Sequence, residues 1–227
     1  MTALLEIDNL TGGYRDTNVL FDVSVRIEAG SVLGVFGRNG VGKTTFARLV
    51  QGSLSAEQGD IRLNGLSIGA HPAHARRGLG IGYMPQTSMV FDDLTVRENL
   101  NLSTNREAPD RYFEKFPWLA ERLNQLAGTM SGGQRKILAF VRTMIEDTNV
   151  IVLDEPSEGV QPENIDRMAD CLKERADIGA GVLLCEQNLS FLTSISSWSL
   201  GLDAGTVVLD KPASEVPAAE MRSILSL

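Results

Sequence analysis

Residues 37–45 read Gly37-Arg38-Asn39-Gly40-Val41-Gly42-Lys43-Thr44-Thr45, which matches the pattern G-x-x-x-x-G-K-T. This run follows an apolar segment, Val32–Phe36, that is typical of a buried strand, and it precedes a helical pattern at Phe46–Val50. A glycine-rich loop in this position binds phosphate, because its backbone N–H groups turn inward and the helix N-terminus adds positive partial charge. The alternative, a glycine-rich turn with a solvated lysine, is disfavoured by the flanking strand and helix. We therefore predict a nucleotide site in which Lys43 contacts the β- and γ-phosphates and Thr44 binds Mg²⁺.

The composition and charge of the chain limit its class and its partners. Of the 227 residues, 43% are hydrophobic and 22% are charged, and the formal net charge at pH 7 is -8. This length suits one domain, or one domain with an inserted subdomain. No apolar run approaches the roughly 20 residues needed to span a bilayer, and the N-terminus lacks a signal-peptide layout, so we expect a soluble cytosolic chain. Because nucleic-acid-binding domains usually carry a basic face, the acidic balance predicts no nucleic-acid partner.

The order of strand and helix patterns predicts an α/β fold. Strand patterns at Leu4–Leu10 and Val19–Ile27 are separated by Thr11-Gly12-Gly13, which we interpret as a break. Short strands then alternate with helical patterns along the chain, as in βαβ units. The continuous apolar run Asn149–Leu153 has the character of a strand inside a parallel sheet. We therefore predict a core with a mostly parallel sheet.

A helical insertion interrupts this core. The stretch Thr95–Ile145 has a helical pattern with proline-containing breaks, and its last part, Gly133–Ile145, is apolar almost all round, which indicates a buried helix. We predict a single domain over the whole chain. Residues 1–87 and 148–227 form the nucleotide-binding core, and residues 88–147 form the helical subdomain.

Two carboxylates come directly after the apolar strand Val150–Leu153. A buried strand at this position delivers Asp154 and Glu155 to the edge of the sheet. Asp154 is then expected near Mg²⁺ on the phosphate loop, and Glu155 can polarise the attacking water. Many strands end in an acidic residue, so this feature is weak alone. Together with the upstream phosphate loop, it predicts a nucleotide-hydrolysing site.

A second anion site is indicated by Ser131-Gly132-Gly133-Gln134, which opens the buried helix. Serine and glycine at a helix N-terminus leave backbone N–H groups free to bind an anion. Helix capping alone explains the serine, but two consecutive glycines weaken a helix by about 1 kcal/mol each. Since the chain already has one nucleotide loop, we predict that this second site serves the nucleotide of another subunit.

The chain resembles the ATP-binding-cassette (ABC) ATPases in three motifs of the same order and spacing: the phosphate loop, the Ser131–Gln134 helix and the Asp154-Glu155 strand. The resemblance covers essentially the whole chain and implies a P-loop NTPase core, an N-terminal antiparallel β subdomain and an inserted α-helical subdomain. It implies that Tyr14 stacks on adenine and that Gln86 senses Mg²⁺ and the attacking water. From the residues alone, Tyr14 is a surface aromatic and Gln86 a loop residue. The family also implies that two cassettes dimerise head to tail, each closing its Ser131–Gln134 segment on ATP held by the other.

A narrower resemblance is carried by two short segments, Glu155–Pro162 and Cys185–Asn188. They look like one of the two ATP-binding subunits of branched-chain amino-acid importers and of their urea or short-amide relatives. The residues Arg38–Val41 favour the urea and amide branch. We therefore expect ATP hydrolysis that energises uptake of a small polar solute. The alternatives are a nucleotide-dependent dimerisation switch with little hydrolysis, favoured by the absence of the family's usual histidine, and the ATPase of an exporter.

This resemblance also implies partners and a location. They are membrane-spanning permease subunits, a second cassette subunit and, indirectly, a periplasmic or extracellular solute-binding protein. The second cassette is expected to be a different chain, although a homodimer remains an alternative. The chain is then a peripheral protein at the cytoplasmic face of the inner membrane. The segment Thr87–Val96 is the expected contact with the permease, because Met89, Val90, Phe91 and Leu94 are apolar residues in a loop setting.

Three residues depart from the general family pattern. Met130 replaces the usual leucine, a volume-conserving change. Gln161 stands where most cassettes carry an aspartate that couples the two sites across the dimer. Gln187 stands where most carry the histidine that contacts the γ-phosphate, and we expect its amide to donate a hydrogen bond there instead.

Overall fold

The computed structural model describes residues 3–15, 17–87, 90–102 and 107–226. Its strands are β1 (Leu5–Tyr14), β2 (Thr17–Ile27), β3 (Val32–Phe36), β4 (Ala56–Leu63), β5 (Leu66–Ser67), β6 (Ile81–Met84), β7 (Val150–Asp154), β8 (Gly181–Cys185), β9 (Trp198–Asp203) and β10 (Thr206–Pro212). Its α-helices are α1 (Lys43–Gln51), α2 (Ala73–Gly78), α3 (Val96–Leu100), α4 (Asp110–Lys115), α5 (Pro117–Glu121), α6 (Gly132–Met144), α7 (Pro162–Asp177), α8 (Leu189–Ile195) and α9 (Ala218–Ser226). In the described parts of the chain, no helix is both long enough and apolar enough to cross a membrane.

Two sheets form the core. The larger has six strands in the order β10-β9-β3-β8-β7-β6, and all its pairings are parallel except β10 with β9. The smaller has the order β2-β1-β4-β5 and is antiparallel throughout. Every residue of β3, β7 and β8 is buried, as the continuous apolar runs predict for strands covered on both faces. The predicted P-loop NTPase fold, with its antiparallel β part, is confirmed.

The strand β7 separates two hydrophobic cores, because successive side chains of a strand point to opposite faces. Ile151 and Leu153 lie in the core that α6, α7 and the inserted helices cover. Val150 and Val152 lie in the core between the sheet, α1 and the antiparallel strands. Both cores therefore hold the end of β7 in place, which fixes the position of Asp154 and of the carboxylate next to it.

The helical insertion, α3 to α6, lies between β6 and β7, and α6 is its buried centre. The rings of Phe116 and Phe140 meet edge to face with centroids 6.5 Å apart. The Tyr112 hydroxyl donates a hydrogen bond of 3.0 Å to the Met144 carbonyl. These contacts tie the small helix α4 to the buried part of α6.

The expected break at Thr11-Gly12-Gly13 is wrong. Strand β1 continues through it to Tyr14, and its pairing with β2 shifts register at three places, one of them between Gly12 and Gly13. A Cβ atom on Gly12 would lie 2.9 Å from the Leu49 side chain. These glycines therefore mark bulges and a close approach of the strand to α1, not a strand end. The bulged strand places Tyr14 beside the phosphate loop.

Candidate nucleotide-binding site

The phosphate loop joins β3 to α1, as the motif predicts. Gly42 precedes the helix with φ of 114°, a conformation that side chains rarely adopt. A Cβ atom there would also lie 2.7 Å from a methyl carbon of Leu20. Because glycine has no side chain to cap the helix, the first N–H groups of α1 remain available to an anion.

Lys43 occupies the centre of this loop and is only 4% exposed. Its ammonium donates to the carbonyl oxygens of Gly37 (2.9 Å) and Arg38 (3.0 Å) and lies 3.3 Å from Oε1 of Glu155. The Glu155 carboxylate therefore balances the positive charge of this buried ammonium. A phosphate group entering the loop would compete with Glu155 for this ammonium.

Thr44 and Asp154 form an oxygen-rich pair beside the loop. The Thr44 hydroxyl donates to Oδ1 of Asp154 over 3.2 Å, whereas Oδ2 of Asp154 is buried and has no hydrogen-bond partner. Burial raises the pKa of Asp154 to about 6, against the opposing effect of the Thr44 hydrogen bond. Hydroxyl and carboxylate oxygens are the ligands that Mg²⁺ prefers. An unpartnered buried carboxylate oxygen therefore fits a divalent cation at this position.

Glu155 and Gln86 meet at the carboxyl edge of the parallel sheet. Glu155 has φ of 48°, in the left-handed region, and its N–H donates to the carbonyl oxygen of Cys185 over 2.9 Å. The Gln86 side-chain amide donates to Oε2 of Glu155 over 2.9 Å. Lys43 and Gln86 thus hold the two oxygens of one carboxylate. A strained backbone at such a point is typical of functional sites.

A cavity of about 390 Å³ joins these groups to Tyr14. Its lining includes the predicted residues Tyr14, Asn39, Gly40, Gly42, Lys43, Thr44, Thr45, Gln86 and Glu155. Tyr14 is 40% exposed, and Arg48 lies 6.0 Å from its ring centroid while donating to its hydroxyl over 3.2 Å. Arg48 was not predicted from the sequence. It holds the aromatic ring at the mouth of the cavity.

The segment Ser131–Gln134 does not reach this cavity. Ser131 caps α6: its hydroxyl accepts from the N–H of Gln134 (3.3 Å), and the Gln134 side chain accepts from the N–H of Ser131 (3.1 Å). The segment lines a separate cavity of about 360 Å³, beside Gly159 and Gln161. A Cβ atom on Gly133 would lie 2.8 Å from the Gly159 carbonyl oxygen, whereas one on Gly132 would meet nothing within 4 Å. Packing within the chain accounts for Gly133 but not for Gly132.

Gln187 lies two residues after the end of β8 and is exposed, and it does not line the 390 Å³ cavity. Two buried charged residues that were not predicted from the sequence contact the loops that carry Gln86 and Gln187. Lys136, on α6, donates to the backbone carbonyl of Gln86 over 2.7 Å. Glu186 accepts backbone N–H groups from two loops. In the sequence, Lys136 stands out only as a charged residue within an apolar helix, and Glu186 only as a charged residue directly after a buried strand.

Comparisons with known proteins agree with this geometry. The family described as ABC transporter matches residues 20–158. The probable branched-chain amino acid transport ATP-binding protein LivF of Archaeoglobus fulgidus is 36% identical over 94% of each chain. The high-affinity branched-chain amino acid transport ATP-binding protein BraG of Pseudomonas aeruginosa is 32% identical over 91% of each chain. The lipopolysaccharide export system ATP-binding protein LptB of Haemophilus influenzae is 30% identical over 91% of this chain and 89% of LptB.

Among solved structures, an ATP-binding subunit of an ABC transporter superposes with a TM-score of 0.85 at 25% identity, over 99% of this chain and all of that one. The resemblance seen in the sequence is thereby confirmed. The chain belongs to the ABC transporter family of ATP-binding subunits, which hydrolyse ATP.

Proposed function

We propose that this chain is the ATP-hydrolysing subunit of an importer that takes up a small polar solute such as a branched-chain amino acid, urea or a short amide. The observation that carries hydrolysis is the carboxylate of Glu155, which Lys43 and Gln86 hold at the edge of the phosphate loop. A switch that binds ATP without turnover would not need this carboxylate. Import is supported by the relatives LivF and BraG, whereas LptB, at 30% identity, supports export as the second candidate.

The geometry suggests how the residues work. Thr44 and Asp154 would hold Mg²⁺ with the participation of Gln86, and the ion would neutralise charge on the β- and γ-phosphates. Lys43 would exchange its ion pair with Glu155 for the γ-phosphate. Glu155, released from the ammonium, then accepts a proton from the attacking water. Tyr14 would stack on the adenine at the mouth of the cavity.

The site is completed by a second cassette. Ser131–Gln134 lies outside the phosphate cavity of its own chain, and the open space at Gly132 leaves room for a phosphate from elsewhere. We propose that this segment closes on ATP held by a partner, and that the partner is a different chain, which compensates for Gln161 and Gln187. The purified chain alone should then hydrolyse ATP slowly. Vigorous, cooperative hydrolysis at low protein concentration would contradict the heterodimer.

The permease contact is proposed at Thr87–Val96, where the core leads into the helical subdomain of residues 88–147. Met89 lies outside the described residues. Phe91 is 53% exposed, although its backbone is fixed by the buried side chain of Asn99, which accepts from the Phe91 N–H (2.8 Å) and donates to its carbonyl (3.0 Å). An exposed aromatic ring on a backbone that is fixed at Phe91 fits a contact surface. Docking there would hold the chain at the cytoplasmic face of the membrane, in indirect contact with a solute-binding protein.

Phe91→Asp should therefore reduce solute uptake at least about tenfold and leave ATP affinity unchanged, since a charge in an apolar contact costs several kcal/mol. The measurement is uptake of labelled leucine and of labelled urea by cells that express the chain with its permease subunits, with ATP binding measured on the purified variant. Leu66→Asp is the matched control, because Leu66 is 55% exposed and lies on the antiparallel sheet. Unchanged uptake by Phe91→Asp would exclude this surface as the permease contact. If cells that lack any cassette take up leucine or urea at the same rate, that solute is not the substrate of this transporter.

Gln187 is proposed to donate a hydrogen bond to the γ-phosphate when the loops close. A neutral donor to a charged phosphate is worth about 1.5–3 kcal/mol, which corresponds to about ten- to a hundredfold in rate when it is lost from the transition state. Gln187→Ala should lower the single-turnover rate of the assembled transporter by that factor. A rate within about twofold of the wild type would assign Gln187 to the scaffold alone.

A further inference from the structure

A buried carboxylate that the mechanism above does not use joins two loops of the site. Glu186 directly follows β8 and is 2% exposed. Its Oε1 accepts the N–H of Ser157 over 2.8 Å, and its Oε2 accepts the N–H groups of Gln187 and Asn188 over 3.1 Å each. Ser157 lies two residues after Glu155. One side chain therefore bonds the segment that carries Glu155 and the segment that carries Gln187.

The same residue is also anchored to the strand that leads into the phosphate loop. The Glu186 N–H donates to the carbonyl oxygen of Val35, in β3, over 2.9 Å. Burial raises the pKa of Glu186, and the backbone N–H groups oppose this rise by stabilising the charged form. Three segments of the site thus meet at one residue. Burying a carboxylate without partners costs free energy, and the three backbone donors of Glu186 offset this cost.

We propose that Glu186 is a positioning residue that latches the Glu155 segment to the Gln187 segment, so that the two move together when ATP is bound. The proposal rests on the function assigned above to Glu155. A carboxylate is suited to this latch because both of its oxygens only accept hydrogen bonds. A glutamine in its place would turn an NH₂ group toward either the Ser157 N–H or the pair from Gln187 and Asn188. One of the two segments would then lose its bond.

Loss of the latch should alter turnover and not nucleotide affinity, because none of the hydrogen bonds or ion pairs described for Lys43, Thr44 and Tyr14 involves Glu186. For Glu186→Gln in the full chain, we expect kcat with Mg-ATP to fall at least about tenfold while KM stays within about threefold. Amide hydrogen exchange should accelerate in the peptide that contains Ser157 or in the one that contains Asn188, whichever segment faces the NH₂ group. Leu63→Ala, a core truncation in β4 on the antiparallel sheet, is the control that should leave exchange in both peptides unchanged.

A double-mutant cycle separates positioning from general damage to the fold. If Glu186 acts through Glu155, Glu186→Gln should reduce hydrolysis no further in a Glu155→Gln background. A wild-type kcat and unchanged exchange in Glu186→Gln, or a further tenfold loss in the double variant, would overturn the proposal.

Amide hydrogen exchange at the two loops also tests the proposed latch independently of catalysis. Should Glu155→Gln hydrolyse ATP at the wild-type rate, the proposed function fails, while the exchange data still test the bonds of Glu186. Should Glu186→Gln not fold, Glu186→Asp takes its place, because the shorter side chain reaches only one segment and should accelerate exchange in only one peptide. Unchanged exchange in both peptides of Glu186→Asp would overturn the proposal.

Discussion

Replacement of Glu155 by glutamine should reduce ATP hydrolysis by about 10²–10⁴-fold, the usual contribution of a general base, and leave ATP affinity within about threefold. The amide keeps the shape of the side chain and its contact with Gln86, but it cannot accept a proton from water. Lys43 keeps its two carbonyl partners in the loop. The measurements are phosphate release under steady-state conditions and equilibrium binding of ATP.

Glu158→Gln is the matched control for this experiment. Glu158 is an exposed acid three residues further along the same loop, and its carboxylate lies 3.7 Å from the Lys136 ammonium. Its replacement removes the same charge without touching the phosphate loop, so hydrolysis should stay within about threefold of the wild type. Wild-type hydrolysis by Glu155→Gln would show that another group activates the water.

Replacement of Lys43 by methionine should weaken ATP binding by about ten- to a hundredfold and remove measurable hydrolysis. The expected loss of ATP affinity corresponds to the free energy of one charge-assisted hydrogen bond, about 1.5–3 kcal/mol. Methionine has a similar length but no donor, so the carbonyl groups of Gly37 and Arg38 also lose their partner. The measurement is the dissociation constant for ATP by equilibrium dialysis, with thermal unfolding recorded on the same protein.

Lys211→Met is the control for the lysine variant, since Lys211 is exposed and pairs with Glu220 at 3.0 Å, where an ion pair contributes little. It should bind ATP as the wild type does. If Lys43→Met is folded and binds ATP with wild-type affinity, the nucleotide does not occupy the loop at residues 37–45.

The sequence was sufficient to predict the phosphate loop and the position of Asp154 and Glu155, for a physical reason. Strands β3, β7 and β8 are buried on both faces and appear as apolar runs, and parallel strands bring the loops at their carboxyl ends to one edge of the sheet. The N-terminus of α6 was predictable too, because serine and a glutamine three residues later form a capping signal.

Other features could not be read from local patterns. In the sequence, Gly12 and Gly13 are equally compatible with a turn and with a strand bulge. The packing of Leu49 against Gly12, which distinguishes the bulge from the turn, is a tertiary contact. The contact between Lys136 and Gln86 spans 50 residues, and that between Glu186 and Ser157 spans 29. Such bonds depend on how the insertion and the sheet pack together, which periodicity does not encode.

Head-to-tail closure of two cassettes on ATP is tested most directly by the mass of the Glu155→Gln variant in sedimentation equilibrium. With Mg-ATP, we predict the mass of two chains, because the nucleotide is bound at the phosphate loop and is not hydrolysed, so that even a pair of identical chains stays closed. With Mg-ADP, and for the double variant Lys43→Met with Glu155→Gln in Mg-ATP, we predict the mass of one chain. A single-chain mass for Glu155→Gln at saturating, demonstrably bound Mg-ATP would contradict closure of Ser131–Gln134 of one copy on the ATP held by another.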